Sequence, residues 1–388
     1  MLMSTDGQTS DLDRYVDDPR VTQAIQSWAR GNGLLATVPE LAWRQRGGSG
    51  ALLVRLRITP LATMQRSVDV LLKVCTAGSP AREPANHRWA WQESPDFAAR
   101  HLFRQLYPPM IMSDGRVMMF LDSSESLSKA VTLGQLSPAM QLEGCTRAIR
   151  LILSDWNTPT AHQHRVMTVQ QFLRGELRGV LDRGRSAYNW ATGAGLFADP
   201  AAAIAARNAS HGLIHVAGHI GLYSELTTMV EFLAGKSHGD LHLDNVVVPC
   251  TPDGHLNFDH IRLIDLSAFN PMAPLSRDVV ALLLSLLLPA VRSGALSTQS
   301  PSLAHALTSA APVVSHPSSL ERAALSIRSD VISQIESRLH GLFHRQYLLS
   351  LIAHSIIYTS FENVGDSGRR WYFALGAAAA EAFRSSAP

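Results

Sequence analysis

The stretch His238-Gly239-Asp240-Leu241-His242-Leu243-Asp244-Asn245, followed by the apolar Val246-Val247-Val248, decides how the rest of this chain reads. An aspartate with an asparagine five residues later, ahead of an apolar strand, is the layout of a phosphotransfer catalytic loop. The chemistry sets the spacing. Asp240 would accept or orient the proton of an attacking hydroxyl, while Asn245, across a tight loop, would hold a Mg²⁺ ion. A second metal ligand is expected where the next strand ends in a carboxylate, and Ile261-Arg262-Leu263-Ile264-Asp265 supplies one. Asp259 is a nearer rival. It follows the turn-like Gly254–Asn257, however, whereas the apolar Ile261, Leu263 and Ile264 form the strand that positions Asp265.

These residues, with Leu263-Ile264-Asp265-Leu266-Ser267 after them, resemble the aminoglycoside phosphotransferase and choline kinase branch of the protein-kinase-like fold. The resemblance is specific over roughly residues 232–285. It implies an α+β, bilobal architecture with a small strand-rich N-lobe and a large helical C-lobe. It also implies ATP and Mg²⁺ as cofactors and phosphoryl transfer to a hydroxyl of a small molecule. Carried over by position, Asp240 would be the catalytic base, Asn245 and Asp265 the Mg²⁺ ligands, and His238 a loop-shaping residue. Asp278 of Ser276-Arg277-Asp278 would be the aspartate on the helix behind the loop that hydrogen-bonds the loop backbone. Two departures stand out. The 20 residues from Asn245 to Asp265 exceed the family's usual spacing, which an inserted turn over 249–260 accounts for. Ser267 replaces the glycine that protein kinases carry after the metal-binding aspartate, which argues against a switch of that type.

Working outward, Gly47-Gly48-Ser49-Gly50 stands immediately before the alternating strand Ala51–Ile58, where a phosphate-covering turn belongs. Lys73, in Leu71-Leu72-Lys73-Val74, is the only lysine before Lys129. By itself it would be an ordinary strand lysine; with the downstream loop it becomes the candidate contact for the α- and β-phosphates. Glu83, on a helix expected after Ser79-Pro80, is the chosen partner for Lys73, with Glu93 as the alternative. Asp122 closes the strand and hinge Val117–Ser123, whose backbone would hold adenine.

The chain divides by pattern into an N-terminal extension over 1–40, a nucleotide-binding lobe over 41–122 and a helical lobe over 123–388. The last carries the catalytic loop over 238–245 and the metal-binding strand end over 261–267. In the extension a polar lead precedes a helix on which Val21, Ala24, Ile25 and Trp28 share a face. Strands are predicted at Ala51–Ile58, Val68–Val74 and Val117–Leu121, with a helix over Pro95–Leu106 between the last two. Ser137-Pro138 reads as a helix start for the stripe Leu142, Cys145, Ile149, Ile152 and Trp156. Leu222, Leu226, Val230 and Leu233 read as another helical stripe closed by Gly235. Gly235-Lys236-Ser237 is then a helix end; a phosphate-binding loop would need glycine at Val230. Asn245–Val248 and Ile261–Ile264 are a strand pair. His211, His215 and His219 lie four apart and read as a polar stripe, since no cysteine or carboxylate accompanies them. His242 and Asp244 read as local loop residues, His242 at the edge of the cleft.

Composition narrows the function. The 388 residues carry a formal net charge of +2, with 46% hydrophobic and 17% charged residues, which excludes a basic nucleic-acid coat or an acidic tail. The arginine-bearing segments lack the aromatic interleaving of a nucleic-acid groove, so no nucleic-acid partner is expected. The longest apolar run, Val279–Val291, is short for a membrane span, holds Pro289, and reads as a buried helix. No membrane association is expected. A polar N-terminus and three unpaired-looking cysteines point to a cytoplasmic protein. About 115 residues separate the hinge from His238, more than protein kinases use there, and no A-P-E segment follows Asp265. Both features favour a small-molecule acceptor over a peptide. Few acids cluster in Ser124–Ser237, which argues against a polycationic one. A nucleotide-binding regulatory module and a divergent protein kinase are the alternatives; the joint presence of Lys73, Asp240, Asn245 and Asp265 favours the enzyme.

Overall fold

A computed structural model describes residues 6–40, 42–46, 51–62, 66–75, 82–123, 130–158, 162–196, 211–251, 253–296, 301–312 and 314–386. The chain forms two compact units. One is Met1–Gln135 with Asp244–Phe269, the other Leu136–Leu243 with Asn270–Pro388.

The first unit is built on an antiparallel sheet of β1 (Leu34–Thr37), β2 (Arg44–Arg46), β3 (Leu52–Pro60), β4 (Val68–Cys75), β5 (Met110–Ile111) and β6 (Val117–Asp122). Its order is β1-β3-β4-β6-β5, with β2 also on β3. Strand side chains alternate between faces, so each central strand contributes to two cores. Leu52, Val54, Leu56, Ile58, Val70, Leu72 and Val74 point to one face, where Leu12 and Val16 of α1 (Asp6–Val16) and Val21 and Ile25 of α2 (Pro19–Gly31) cover them. Leu53, Leu71 and Cys75 point to the other, against Phe103, Val247 and Ile264. Lys73 lies in register with Leu71 and Cys75. Alternation alone therefore turns it toward the face that carries Val247 and Ile264.

Two helices, α3 (Glu83–Glu93) and α4 (Pro95–His101), follow β4. The unit also holds a small antiparallel sheet in which β10 (Val246–Val248) lies between β7 (Val131–Thr132) and β11 (Arg262–Leu263). Two sequence expectations are corrected in this unit. The polar lead contains helix α1, whose Leu12 and Val16 sit in the core; two apolar residues among charges were too weak a stripe to read. The helix over Pro95–Leu106 ends at His101, because Leu102 turns extended (φ −113°, ψ 153°) and bridges Leu263 of β11. The strand expected over Ala51–Ile58 is present as β3, with Leu52, Val54, Leu56 and Ile58 in one core.

The second unit comprises α5 (Pro138–Arg150), β8 (Gln163–Thr168), α6 (Val169–Leu177), α7 (Ser186–Gly193), α8 (His211–His219), β9 (Met229–Ser237) and β12 (Asn270–Pro274). It continues through α9 (Ser276–Arg292), α10 (Pro301–Thr308), α11 (Ser319–Ser333), α12 (His340–Tyr358) and α13 (Gly365–Ser385). Val279–Leu287 and Val291 of that run form the buried body of α9, as its composition predicted. Ser137 is the N-cap residue of α5 but makes no side-chain cap bond, and a π-helical turn (Leu151–Trp156) extends that helix to Trp156. No helix among the described residues is long and apolar enough to cross a membrane.

The helical stripe expected over Leu222–Leu233 is a misreading. Tyr223–Glu225 forms a single 3₁₀ turn, and Met229–Ser237 is the central strand of the sheet β12-β9-β8. Val230, Phe232 and Ala234 alternate inward; the four-residue spacing of Leu222, Leu226 and Val230 bridged a turn and a strand. Gly235 is thus a mid-strand glycine and not a helix cap. A Cβ there would lie 2.5 Å from Asn157 Oδ1 and 2.6 Å from Leu275 Cδ2. Asn157 accepts the Lys236 N–H at 2.7 Å and donates to the Lys236 carbonyl at 2.7 Å, which fixes β9 just ahead of His238. Gly235→Ala is expected to cost about 1–3 kcal/mol of stability by overpacking this contact. The measurement is a lower denaturation midpoint at unchanged m-value. A wild-type midpoint would show that Asn157 yields freely.

A strand-rich unit holding a strand lysine against a helix glutamate, and a helical unit holding the loop aspartate, give an α+β fold.

Candidate active site

Lys73 is 2% exposed and reaches two carboxylates of the first unit. Its Nζ lies 2.7 Å from Glu83 Oε1 and 3.0 Å from Asp265 Oδ2. Glu83 is the first residue of α3, where a carboxylate also suits the helix dipole. It accepts a second hydrogen bond from Cys75 Sγ at 3.1 Å. Glu93, at the far end of α3, instead accepts from Trp89 Nε1 at 3.1 Å. Burial opposes charge on Lys73, but Glu83 and then Asp265 outweigh it and hold the lysine above its ordinary value. Burial pushes the Cys75 thiol up, which keeps it a donor to Glu83.

Asp265 stands just after β11 in the left-handed region (φ 65°, ψ 64°), where aspartate is one of the few non-glycine residues that fit. The conformation lifts the carboxylate out of the strand line toward Lys73. Two contacts brace the turn. Asn86 Nδ2 of α3 donates to the Ser267 carbonyl at 2.7 Å, and the Trp89 and Phe269 rings meet edge to face at 5.7 Å. The Ile264 N–H donates to the Asn245 carbonyl at 3.1 Å, continuing the β10–β11 ladder and placing Asn245 beside the strand end that carries Asp265. Asp259 is exposed in the 3₁₀ turn Phe258–His260. Asp244 does not bond only within its own loop: it accepts from Thr132 Oγ1 of β7, 112 residues earlier in the chain, at 3.3 Å.

An apolar recess in the same unit is lined by Trp43, Leu71, Phe103, Ser123, Val247 and Ile264, with Arg55 at its wall. Asp122 ends β6 beside it, and its N–H donates to the Arg104 carbonyl at 2.7 Å. Gly47, Gly48, Ser49 and Gly50 lie outside the described residues, as do Ser79 and Pro80.

His87, on α3, carries a pH signature. Burial, partly opposed by a hydrogen bond with the Phe103 backbone, lowers its pKa from 6.5 to about 4. Between those values the unfolded chain binds a proton that the folded chain refuses, so stability falls as pH falls through that window. The full shift corresponds to about 3 kcal/mol. Urea midpoints at pH 7 and pH 4.5 should diverge, and His87→Leu should reduce the divergence. An unchanged divergence in the variant would assign the effect elsewhere.

The second unit holds the other half of the loop. His238 is fully buried and Gly239 has φ 87°, a region glycine enters freely. Asp278, on the first turn of α9, accepts the His238 N–H at Oδ2 (2.7 Å) and the Gly239 N–H at Oδ1 (2.9 Å). His238 Nδ1 accepts the Asp240 N–H at 3.4 Å, and Ser285 Oγ accepts the Leu243 N–H at 3.0 Å. The backbone that leads into and out of Asp240 is thereby held on one helix.

Behind it, Arg277 and Glu176 form a buried ion pair at 2.5 Å. Against the penalty of burial, Arg277 and then His354 hold the Glu176 carboxyl down at about 2. Nothing in the sequence announced this pair, because 101 residues separate its members. The same holds for Arg178, whose Nη2 donates to the Gly239 carbonyl at 2.7 Å. Among the described residues no group of three or more His, Cys, Asp or Glu side chains could hold a metal ion.

Solved structures match most of the chain at low identity. Aminoglycoside phosphotransferase APH(4)-Ia is 11% identical with a TM-score of 0.47, covering 94% of this chain and 98% of its own. Choline kinase LicA from Streptococcus pneumoniae is 11% identical with a TM-score of 0.44, covering 94% and 99%. A glucosamine kinase is 13% identical with a TM-score of 0.40, covering 91% and 81%. No family profile matches the chain, and no curated protein matches it significantly.

Proposed function

We propose that this protein is an ATP- and Mg²⁺-dependent phosphotransferase acting on a hydroxyl of a small molecule. The observation that carries the reading is Lys73, buried and held between Glu83 and Asp265 at 2.7 and 3.0 Å. A buried ammonium fixed by one carboxylate and facing a second, at a strand end in left-handed backbone, is an arrangement for anionic phosphate oxygens and a cation. Asn245 and Asp265 offer an amide oxygen and a carboxylate, hard donors that suit Mg²⁺. Such an ion takes one or two protein ligands and completes its shell with phosphate and water. When bound it would neutralise charge on the transferring group.

In this reading the nucleobase enters the recess beside Ser123, Val247 and Ile264, and Lys73 orients the phosphates. Asp240 accepts or orients the proton of the acceptor hydroxyl; five residues of chain join it to Asn245. Catalysis is then mostly placement and charge stabilisation. The acceptor is a small molecule because the long insert before His238 supplies material for a pocket and no peptide-docking segment follows Asp265.

The test is a search for phosphorylated products after incubating wild type and Asp240→Asn with Mg-ATP and a metabolite mixture. A product formed by wild type alone supports the proposal. Binding of Mg-ATP by wild type with no transfer to any hydroxyl would make the chain a nucleotide-binding module instead.

A further inference from the structure

The last turn of α6 closes on Arg178, which has φ 48° and ψ 39°, with its N–H on the Arg174 carbonyl at 3.2 Å. Helices commonly close in this left-handed conformation on glycine, and Gly179 is the next residue, so the local rules would favour glycine at 178. An arginine held there is a backbone outlier that points to use of its side chain. Its Nη2 donates to the Gly239 carbonyl at 2.7 Å. Gly239 itself has φ 87°, and its N–H is held by Asp278 Oδ1 at 2.9 Å. Both backbone polar groups of Gly239 are therefore fixed: its N–H, in the peptide from His238, by a carboxylate, and its carbonyl, in the peptide to Asp240, by a guanidinium. Arg178 is solvent-exposed, yet the protein around its guanidinium lowers its pKa by burial and by Arg277, against the attraction of Glu176, Asp240 and Asp278.

We propose that Arg178 is a positioning residue for Asp240: it clamps the Gly239 carbonyl while Asp278 clamps the Gly239 N–H, so that the Asp240 carboxylate leaves the loop in one direction. The inference rests on reading Asp240 as the phosphotransfer base. Because Gly239 has no side chain and can rotate through either sign of φ, the peptide joining it to Asp240 would, without Arg178, be held only by the long 3.4 Å bond from the Asp240 N–H to His238 Nδ1. The 2.7 Å bond from Arg178 to its carbonyl removes that freedom.

The experiment compares wild type, Arg178→Ala and Arg178→Lys. Hydrogen exchange of the segment 237–241 is followed by mass spectrometry, and turnover of Mg-ATP is measured with water as the acceptor. Exchange in Arg178→Ala should quicken in this segment while α9 and α12 stay protected, with Arg178→Lys between it and wild type. Turnover should fall roughly ten- to hundredfold, as for a misplaced catalytic group, with the KM for Mg-ATP unchanged. In an Asp240→Asn background the same substitution should cost nothing further, because a residue acting through Asp240 has nothing left to position. Wild-type exchange in Arg178→Ala overturns the clamp, as does an equal loss of turnover with and without Asp240. If wild type hydrolyses no Mg-ATP, the exchange data alone decide whether Arg178 holds the loop, and the phosphotransfer reading stands or falls separately on the search for phosphorylated products.

Discussion

Asp240→Asn is expected to lower phosphoryl transfer by roughly 10²–10⁴-fold, the range for loss of a general base, while Mg-ATP affinity stays at the wild-type level. The substitution is nearly isosteric and leaves the loop backbone intact. Asp278 still accepts the His238 and Gly239 N–H groups at 2.7 and 2.9 Å, and His238 Nδ1 still accepts the N–H of residue 240. What changes is one group: an amide cannot take the proton of the attacking hydroxyl. The proposed phosphate contact, Lys73, belongs to the other unit and is untouched, so binding and transfer should separate. Isothermal titration with Mg-ATP and a product assay read the two quantities independently. A variant that transfers phosphate at the wild-type rate would remove Asp240 from the mechanism. A variant that loses binding as well would make the residue structural.

Lys73→Met should have the largest effect on stability. The substitution keeps the length of the side chain and removes its charge. Glu83, 2% exposed, is then left facing the Asp265 carboxylate without the ammonium that both now contact. Breaking one member out of a buried pair costs about 3–5 kcal/mol, because the partner charge stays desolvated. Glu83 can relieve that cost by binding a proton, since burial already raises its pKa above 4.5. The folded variant thus binds a proton that the unfolded chain releases above pH 4.5, so its stability falls as pH rises. The gap to wild type should be wider at pH 8 than at pH 5 in urea titrations. Adding Glu83→Gln should close much of it at pH 8, since the buried charge is gone. Equal gaps at both pH values, with no rescue by Glu83→Gln, would show that Lys73 acts by packing alone. Mg-ATP affinity should fall in the single variant and not return in the double, because the phosphate contact is still missing.

Residues that must act together at fixed local spacing were legible in the chain. Asp240 and Asn245 are joined by a loop too short to rearrange, and Asp265 ends a recognisable strand. Lys73 was legible only through them, as one lysine in a strand-rich segment has no signature of its own. The period of two that marked β3 and β4 placed its side chain with Leu71 and Cys75, but could not say what lay opposite. Where periodicity was short the reading failed. Leu222, Leu226 and Val230 mimicked a helix because a single 3₁₀ turn brought a strand into false register, and α1 passed as a polar lead.

The sequence by itself determined the groups this protein has to work with: one front lysine, an aspartate and an asparagine in a short loop, an aspartate at a strand end, and an α+β class to hold them. Only the tertiary structure decided which carboxylates face Lys73, choosing Glu83 over Glu93 and Asp265 over the exposed Asp259. It also decided that Arg178 and Asp278 hold the carbonyl and the N–H of Gly239 between them. These pairings join residues far apart in the chain, and what sets them is burial. A charge taken out of water must find its partner wherever packing places one, and no local pattern records that address.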